Sequence, residues 1–184
     1  RQIIPAEARP ESLFFLVRAH GERIYAADAR SETLHLFSNS GKAIRSDPLP
    51  GLAVDMQFLP EEFSITLLGS WRTENTREGK ILIARQLFLR PVLENLYRVP
   101  SSQFVDLNDD GRPEILTAQF GHQLGHLSYF ENRSPEGQKE DWEETTLLSL
   151  PGTVKARAVD PGDGSLAIVA LVAQAREGLY VFRQ

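Results

Sequence analysis

Short apolar segments alternate with polar turns along most of the chain. The first group, residues 10–48, has apolar segments at 13–17, 23–27, 33–37 and 42–45, and the turns between them are rich in Gly, Asn, Asp and Ser. Apolar segments of about four to eight residues bounded by such turns are typical of β-strands joined by hairpins. The pattern therefore predicts an all-β protein built from antiparallel strands.

The same arrangement recurs three more times, in residues 51–99, 101–150 and 153–184. Strands are predicted at 53–58, 64–71, 80–87 and 93–99 in the second group, at 103–105, 115–118 and 125–132 in the third, and at 154–159, 166–172 and 179–182 in the fourth. Two long polar links, 72–79 and 133–141, are predicted as loops.

Two residue types repeat with the period of these groups. Prolines recur in steps of 45, 50 and 51 residues, and an aspartate after an apolar pair recurs in steps of 51 and 54; they are Pro5, Pro50, Pro100 and Pro151, and Asp55, Asp106 and Asp160. A four-stranded unit repeated at this spacing predicts the blades of a β-propeller, and the Trp-Asp marker of WD repeats is absent. We predict a single propeller domain or propeller segment with blades at 10–48, 51–99, 101–150 and 153–184.

The two ends of the pattern leave the number of blades open. The last unit shows three strands, whereas residues 1–4 have the pattern of an outer strand. Residues 1–4 could supply the missing strand and close a four-bladed ring, or they could belong to the preceding blade of a larger propeller. We expect the larger propeller, and we expect the chain to be part of a longer protein because it starts at Arg1 without a signal segment.

The third unit contains an acidic loop at residues 106–114, with the sequence DLNDDGRPE. Calcium takes about six to eight oxygen ligands, which such a loop supplies from alternate side chains and one backbone carbonyl. The predicted ligands are Asp106, Asn108, Asp110, the carbonyl of Arg112, and Glu114. Gly111 stands where the chain must turn sharply with φ > 0.

The loop differs from an EF-hand. Its twelfth position is Thr117 instead of the bidentate glutamate, and its flanking segments have strand-forming rather than helix-forming sequences. The loop is therefore predicted to join two antiparallel strands. The corresponding turns 59–62 and 160–164 of the second and fourth units lack the ligand spacing, so no ion is predicted there.

The loop resembles the D-x-N/D-x-D-G-x-x-D/E loop of the FG-GAP or VCBS repeat, and residues 125–132 (GHLSYFEN) resemble the third strand of that repeat. The resemblance covers one blade well, while the neighbouring blades match poorly. It implies a propeller of about seven blades, a structural calcium ion, and a platform for protein or glycan recognition that is extracellular or periplasmic. Some relatives in this family are fused to enzymes or to haem-bearing domains.

Composition narrows the class of partner. The net charge of −5 argues against nucleic acid, which requires a basic face, and no apolar run is long enough to insert into a membrane. The absence of cysteine removes disulfides and thiolate sites. A calcium loop outside an EF-hand also favours a location outside the cytoplasm, where calcium is millimolar.

No catalytic motif is found, so we predict a non-catalytic binding module. His122 and His126 are four residues apart, but the glycines beside them favour a polar turn over a helical metal site. Trp71 and Trp142 are interpreted as packing residues. Two alternatives stay open: a propeller enzyme of the polysaccharide lyase or hydrolase type, and a scaffold subunit of a larger membrane or electron-transfer assembly.

Overall fold

The computed structural model describes residues 14–69, 76–85, 88–121, 123–135, 138–174 and 176–183. These residues form four antiparallel sheets of three or four strands, and within each sheet neighbouring strands follow each other along the chain. The predicted all-β class with four groups of hairpin-connected strands is confirmed. Residues 1–4, Trp71 and His122 lie outside the described residues, as do residues 72–75 of the predicted link 72–79.

The strands have the following bounds. The first sheet contains β1 (Phe14–His20), β2 (Arg23–Asp28), β3 (Thr33–Ser38) and β4 (Ala43–Pro48). The second contains β5 (Ala53–Phe58), β6 (Phe63–Leu67), β7 (Gly79–Arg85) and β8 (Phe88–Leu96). The third contains β9 (Arg98–Val105), β10 (Glu114–Phe120), β11 (His126–Asn132) and β12 (Trp142–Leu148). The fourth contains β13 (Thr153–Val159), β14 (Ala167–Val172) and β15 (Gly178–Arg183).

The predicted boundary between the second and third units is wrong. The strand predicted at 93–99 ends at Leu96, and Val99 and Pro100 belong to β9. Proline lacks an N–H group but is tolerated in an edge strand, and β9 is at the edge of its sheet. Val99 also donates its N–H to the carbonyl oxygen of Leu68 at 3.1 Å, which places the start of β9 against the second sheet.

Apolar side chains between successive sheets form three core clusters. Ile65 and Leu34 belong to the cluster between the first and second sheets, and Ile81 and Ile115 to the cluster between the second and third. Leu127 packs with Ala156 and Ala170 between the third and fourth sheets. The four sheets therefore pack face to face in chain order, and each interface removes apolar side chains from water.

Two glutamines connect the first strands of successive sheets. Gln57 of β5 donates from Nε2 to the carbonyl oxygen of Phe104 in β9 at 2.9 Å and accepts the Phe104 N–H at 2.7 Å. Gln103 of β9 makes the same pair of bonds with Ala158 in β13, at 3.3 and 2.8 Å. Each amide thus satisfies both backbone groups of one residue in the next sheet and fixes how β5, β9 and β13 lie beside one another.

None of the described residues forms a helix long and apolar enough to cross a membrane.

Replacing Gln57 or Gln103 with Leu should destabilise the fold by about 1–3 kcal/mol each, because it leaves a backbone N–H and C=O without their partners. Urea unfolding would measure the free energies. Gln123→Leu, at an exposed turn position, is the matched control and should change the free energy of unfolding by less than about 0.5 kcal/mol. Losses no larger than that of the control would show that the two bridges do not contribute to stability.

Candidate functional site: the acidic loop

The acidic loop, residues 106–113 with Glu114, connects β9 to β10, and the strands that flank it are paired through Val105 and Glu114. It is a hairpin connection between antiparallel strands, as predicted. Asp109 and Gly111 have φ angles of 60° and 81°, which lie in the left-handed region that glycine and aspartate tolerate best. These two residues allow the chain to curl around its own side chains.

Carboxylates of the loop accept hydrogen bonds from its backbone. Asp106 accepts the N–H groups of Asp110 at 3.2 Å and of Gly111 at 2.8 Å, and Asp110 accepts the N–H of Arg112 at 2.8 Å. Such bonds from aspartate to residues further along the chain stabilise turns. They hold Asp106 and Asp110 close to the centre of the loop.

Glu114 is the buried member of the set, with 2% of its surface exposed. One of its carboxylate oxygens, Oε2, accepts the N–H of Leu107 at 2.7 Å, and the other, Oε1, lies 3.2 Å from the Asn108 amide nitrogen. Burial raises the pKa of Glu114, and the negative charges of Asp110 and Asp106 raise it further despite the bond from Leu107. No lysine or arginine among the described residues forms a salt bridge with it.

The predicted ligands of the acidic loop can be compared with what a calcium ion requires. The donor set consists of oxygen atoms only, which suits a hard cation, and a buried carboxylate without a cationic partner is destabilised in the charged form. Asn108 is the member that would have to move, because its amide nitrogen bridges Glu114 and Asp110 (3.3 Å) while its oxygen accepts the Asp110 N–H. Turning the amide would direct the oxygen towards the carboxylates.

In the described part of the chain, no three histidine or carboxylate side chains are arranged to hold a metal ion by themselves. This agrees with the position of the Asn108 nitrogen between two of the carboxylates. The predicted set also includes the Asn108 oxygen and the Arg112 carbonyl, which are not charged groups. The residues therefore fit calcium if the Asn108 amide turns.

The side chain of Arg112 attaches the acidic loop to the link between β11 and β12. Its Nη2 donates to the carbonyl oxygens of Asn132 and Ser134, both at 2.9 Å. Asn132 in turn accepts the N–H groups of Ser134 and Asp141 through its side-chain oxygen. Two hairpin connections of the third sheet are thereby held together at one end.

A cleft lies on each side of the acidic loop. The first has a volume of about 270 Å³ and is formed between the third and fourth sheets by Leu107, Asn108 and Glu114 with apolar residues such as Tyr129 and Phe182. The second, of about 500 Å³, is formed between the second and third sheets. It is lined by the loop residues Arg112 and Pro113, by Trp142, and by the carboxylates Glu61, Glu62 and Glu140.

Among the described residues, His126 does not belong to a group of side chains that could hold a metal ion. Its Nε2 lies 2.7 Å from Glu144 Oε1 and 3.1 Å from Gln119 Nε2, and Ser128 donates to the same glutamate oxygen at 2.8 Å. Burial by itself would raise the pKa of Glu144, but the hydrogen bonds from His126, Ser128 and Gln119 hold it below its ordinary value. Trp142 packs against the second core cluster and also lines the larger cleft.

Sequence reasoning missed a second group of charged residues, around Asp55. In the sequence Asp55 is only one of three repeated aspartates, but in the structure its side chain is 3% exposed and lies within 3.4 Å of Arg18, Lys155 and Arg157. The only signal in the sequence was a single aspartate within an apolar segment. Its partners are distant in the chain and belong to other sheets.

Comparison with known proteins identifies no family model that matches the chain and no curated protein with significant similarity to it.

The electrostatics of Glu114 predict a pH dependence in calcium-free buffer with chelator. Because the folded state raises the pKa of Glu114 above its usual value of 4.5, its ionisation destabilises the fold increasingly as the pH rises above that value. Glu114→Gln should therefore gain stability relative to the wild type as the pH rises from 4.5 through the raised pKa of Glu114, as measured by urea unfolding at each pH. The exposed Glu22→Gln is the control, and equal pH profiles for Glu114→Gln and the wild type would contradict this account.

Proposed function

We propose that the chain is a calcium-stabilised β-propeller module, or a segment of one, that binds protein or glycan partners outside the cytoplasm. Its resemblance to FG-GAP and VCBS repeats rests on the acidic loop and on the strand that follows the next turn. The observation that carries the proposal is the buried Glu114, whose pKa is raised by burial and by the nearby charges of Asp110 and Asp106, and with which no lysine or arginine among the described residues forms a salt bridge.

The arrangement of the sheets supports propeller blades. Each sheet is a meander of sequential antiparallel strands, and successive sheets pack face to face through the three core clusters. The first strands β1, β5, β9 and β13 lie next to one another in that order, with contacts from β1 to β5, from β5 to β9 and from β9 to β13. First strands that line a common axis are the arrangement of a propeller.

A calcium ion at the acidic loop would stabilise the hairpin rather than take part in a reaction. It would be held by Asp106, Asn108, Asp110, the Arg112 carbonyl and Glu114, and it would offset the repulsion among the three carboxylates. Because the loop forms a wall of both clefts, its order would also set their shape. Weak calcium sites of this kind are filled most readily where calcium is millimolar, which supports the extracellular or periplasmic location.

The clefts supply the binding surface in this proposal. The larger one combines the side chain of Trp142 with carboxylates and with Arg85 and Arg112. An aromatic side chain beside charged hydrogen-bonding groups suits a polar partner with an apolar face, such as a sugar ring or a peptide side chain.

A second candidate function is that of a scaffold subunit, or of a part of a larger propeller, and the fourth sheet favours it. One face of this sheet packs on the third sheet, whereas the other exposes Leu171, Leu179 and Val181 at 47%, 67% and 53% of their surface. The strand register puts these residues on one face, since Leu171 pairs with Leu179, and Val169 with Val181. A closed ring of four sheets would bury this face.

The calcium proposal predicts that Asp110→Ala lowers the thermal stability of the chain in calcium far more than in chelator. At about a hundredfold excess of calcium over its Kd, binding contributes up to about 2.7 kcal/mol, and the variant should lose most of it. A thermal melt in both buffers measures the difference. Asp163→Ala, at the exposed turn after β13 where no ion is predicted, should lose the same small amount in both buffers.

Equal losses for Asp110→Ala in calcium and in chelator would contradict the calcium site and leave the fold proposal to rest on the sheet arrangement.

The exposed face of the fourth sheet yields a separate prediction. Replacing Leu179 and Val181 together with Thr should change the free energy of unfolding by less than about 0.5 kcal/mol per site, because both are exposed. The same change should reduce self-association in sedimentation velocity, because it removes apolar surface. Ile44→Thr, exposed on the first sheet, is the control, and a loss of several kcal/mol in the double variant would show that the face is covered.

A further inference from the structure

Three cationic side chains from two sheets surround one buried carboxylate at the first strands. Asp55 of β5 lies 3.4 Å from Arg18 Nη2 of β1, 3.3 Å from Lys155 Nζ and 2.7 Å from Arg157 Nη2, the last two on β13. Burial of Asp55 would raise its pKa, but the hydrogen bond and charge of Arg157 and the charge of Lys155 lower it overall. The carboxylate is therefore charged at neutral pH.

The three cationic side chains differ in how many of their donor groups already make hydrogen bonds. Arg157 is held from several sides, since it also donates to Ser101 Oγ at 2.7 Å and to the carbonyl oxygens of Ala156 and Ser102. Arg18 and Lys155 make only long contacts with Asp55, and Arg18 makes one further bond to the carbonyl of Val17. Their side chains are 43% and 47% exposed, so donor groups remain accessible from solvent.

The charges of this cluster do not balance. Three positive groups face one negative group, and Asp55 is the only carboxylate that the described residues bring within salt-bridge distance of them. A carboxylate that served only to connect the strands would need one cation, whereas further cations close together repel one another. The surplus of two positive charges lies on the exposed side of the cluster.

We propose that Arg18, Lys155 and Arg157 form an anion-binding site over Asp55, which takes an oxyanion such as a carboxylate, phosphate or sulfate group. The planar guanidinium of Arg18 can donate two parallel hydrogen bonds to such a group, and the Lys155 ammonium adds a point charge beside it. The buried Asp55 carboxylate holds the cations in position through its ion pairs, but it also competes with the ligand for their positive charge. The site contains no residue of the acidic loop, so its failure would leave the proposed function untouched.

The test is titration of the full 184-residue chain with sodium sulfate, inorganic phosphate and D-glucuronate at constant ionic strength, followed by calorimetry and thermal unfolding. Saturable binding is expected for at least one oxyanion and none for neutral D-glucose. Arg18→Gln and Lys155→Gln should each weaken the binding by about tenfold or more, because a charged hydrogen bond is lost. Both side chains are half exposed, so these variants are expected to fold.

Arg45→Gln is the matched control, because it removes the same charge from an exposed position on β4 and should leave the affinity unchanged. Asp55→Asn should bind the oxyanion several times more tightly, since the internal competitor is gone. Stronger binding of glucuronate than of phosphate or sulfate would identify an acidic sugar as the ligand, and the reverse order a free inorganic anion. Both results support the site.

Stabilisation that rises without saturation, or that is equal in the wild type, Arg18→Gln and Arg45→Gln, would show a general salt effect and overturn the proposal. Loss of oxyanion binding in a folded Asp55→Asn protein would contradict the surplus of positive charge.

Discussion

The buried carboxylate of Asp55 is the constraint on which the arrangement of the sheets depends. A charged group with 3% exposure is tolerated in a protein only when cations and hydrogen-bond donors replace its water. The donors come from β1 and β13, which belong to the first and fourth sheets, while Asp55 itself belongs to the second. Three of the four sheets must therefore bring their first strands to the same place if the charge is to be compensated.

The glutamine bridges and the core clusters also hold the sheets together, but they contribute differently from the Asp55 cluster. Burial of apolar side chains between the sheets provides most of the driving force, but it is not directional and would tolerate sheets that slide over one another. The amides of Gln57 and Gln103 require one particular residue of the next sheet, because they bond both backbone groups of Phe104 and Ala158. The apolar clusters thus favour stacking, and the polar bridges select one register.

The sequence predicted what is encoded locally. Turn residues between short apolar segments predicted the strands, and the strand-forming segments on either side of residues 106–114 predicted that this acidic loop is a hairpin connection. Pro100 was misread as a boundary, because a proline can lie within an edge strand when its missing N–H faces no partner. The Asp55 cluster could not be predicted, since its partners are 37, 100 and 102 residues away and only the packing of the sheets brings them together.

Asp55 and Glu114 show opposite solutions to the same problem. Both are buried carboxylates, but cations near Asp55 lower its pKa, whereas burial and two neighbouring aspartates raise the pKa of Glu114. The fold therefore contains one centre with surplus positive charge and one with surplus negative charge, and neither compensates the other by a direct ion pair. Because an uncompensated charge destabilises the folded chain, each centre would become more stable if an ion of opposite sign bound to it from solution. The same physical argument thus supports both proposals, a cation at the loop and an anion at the first strands.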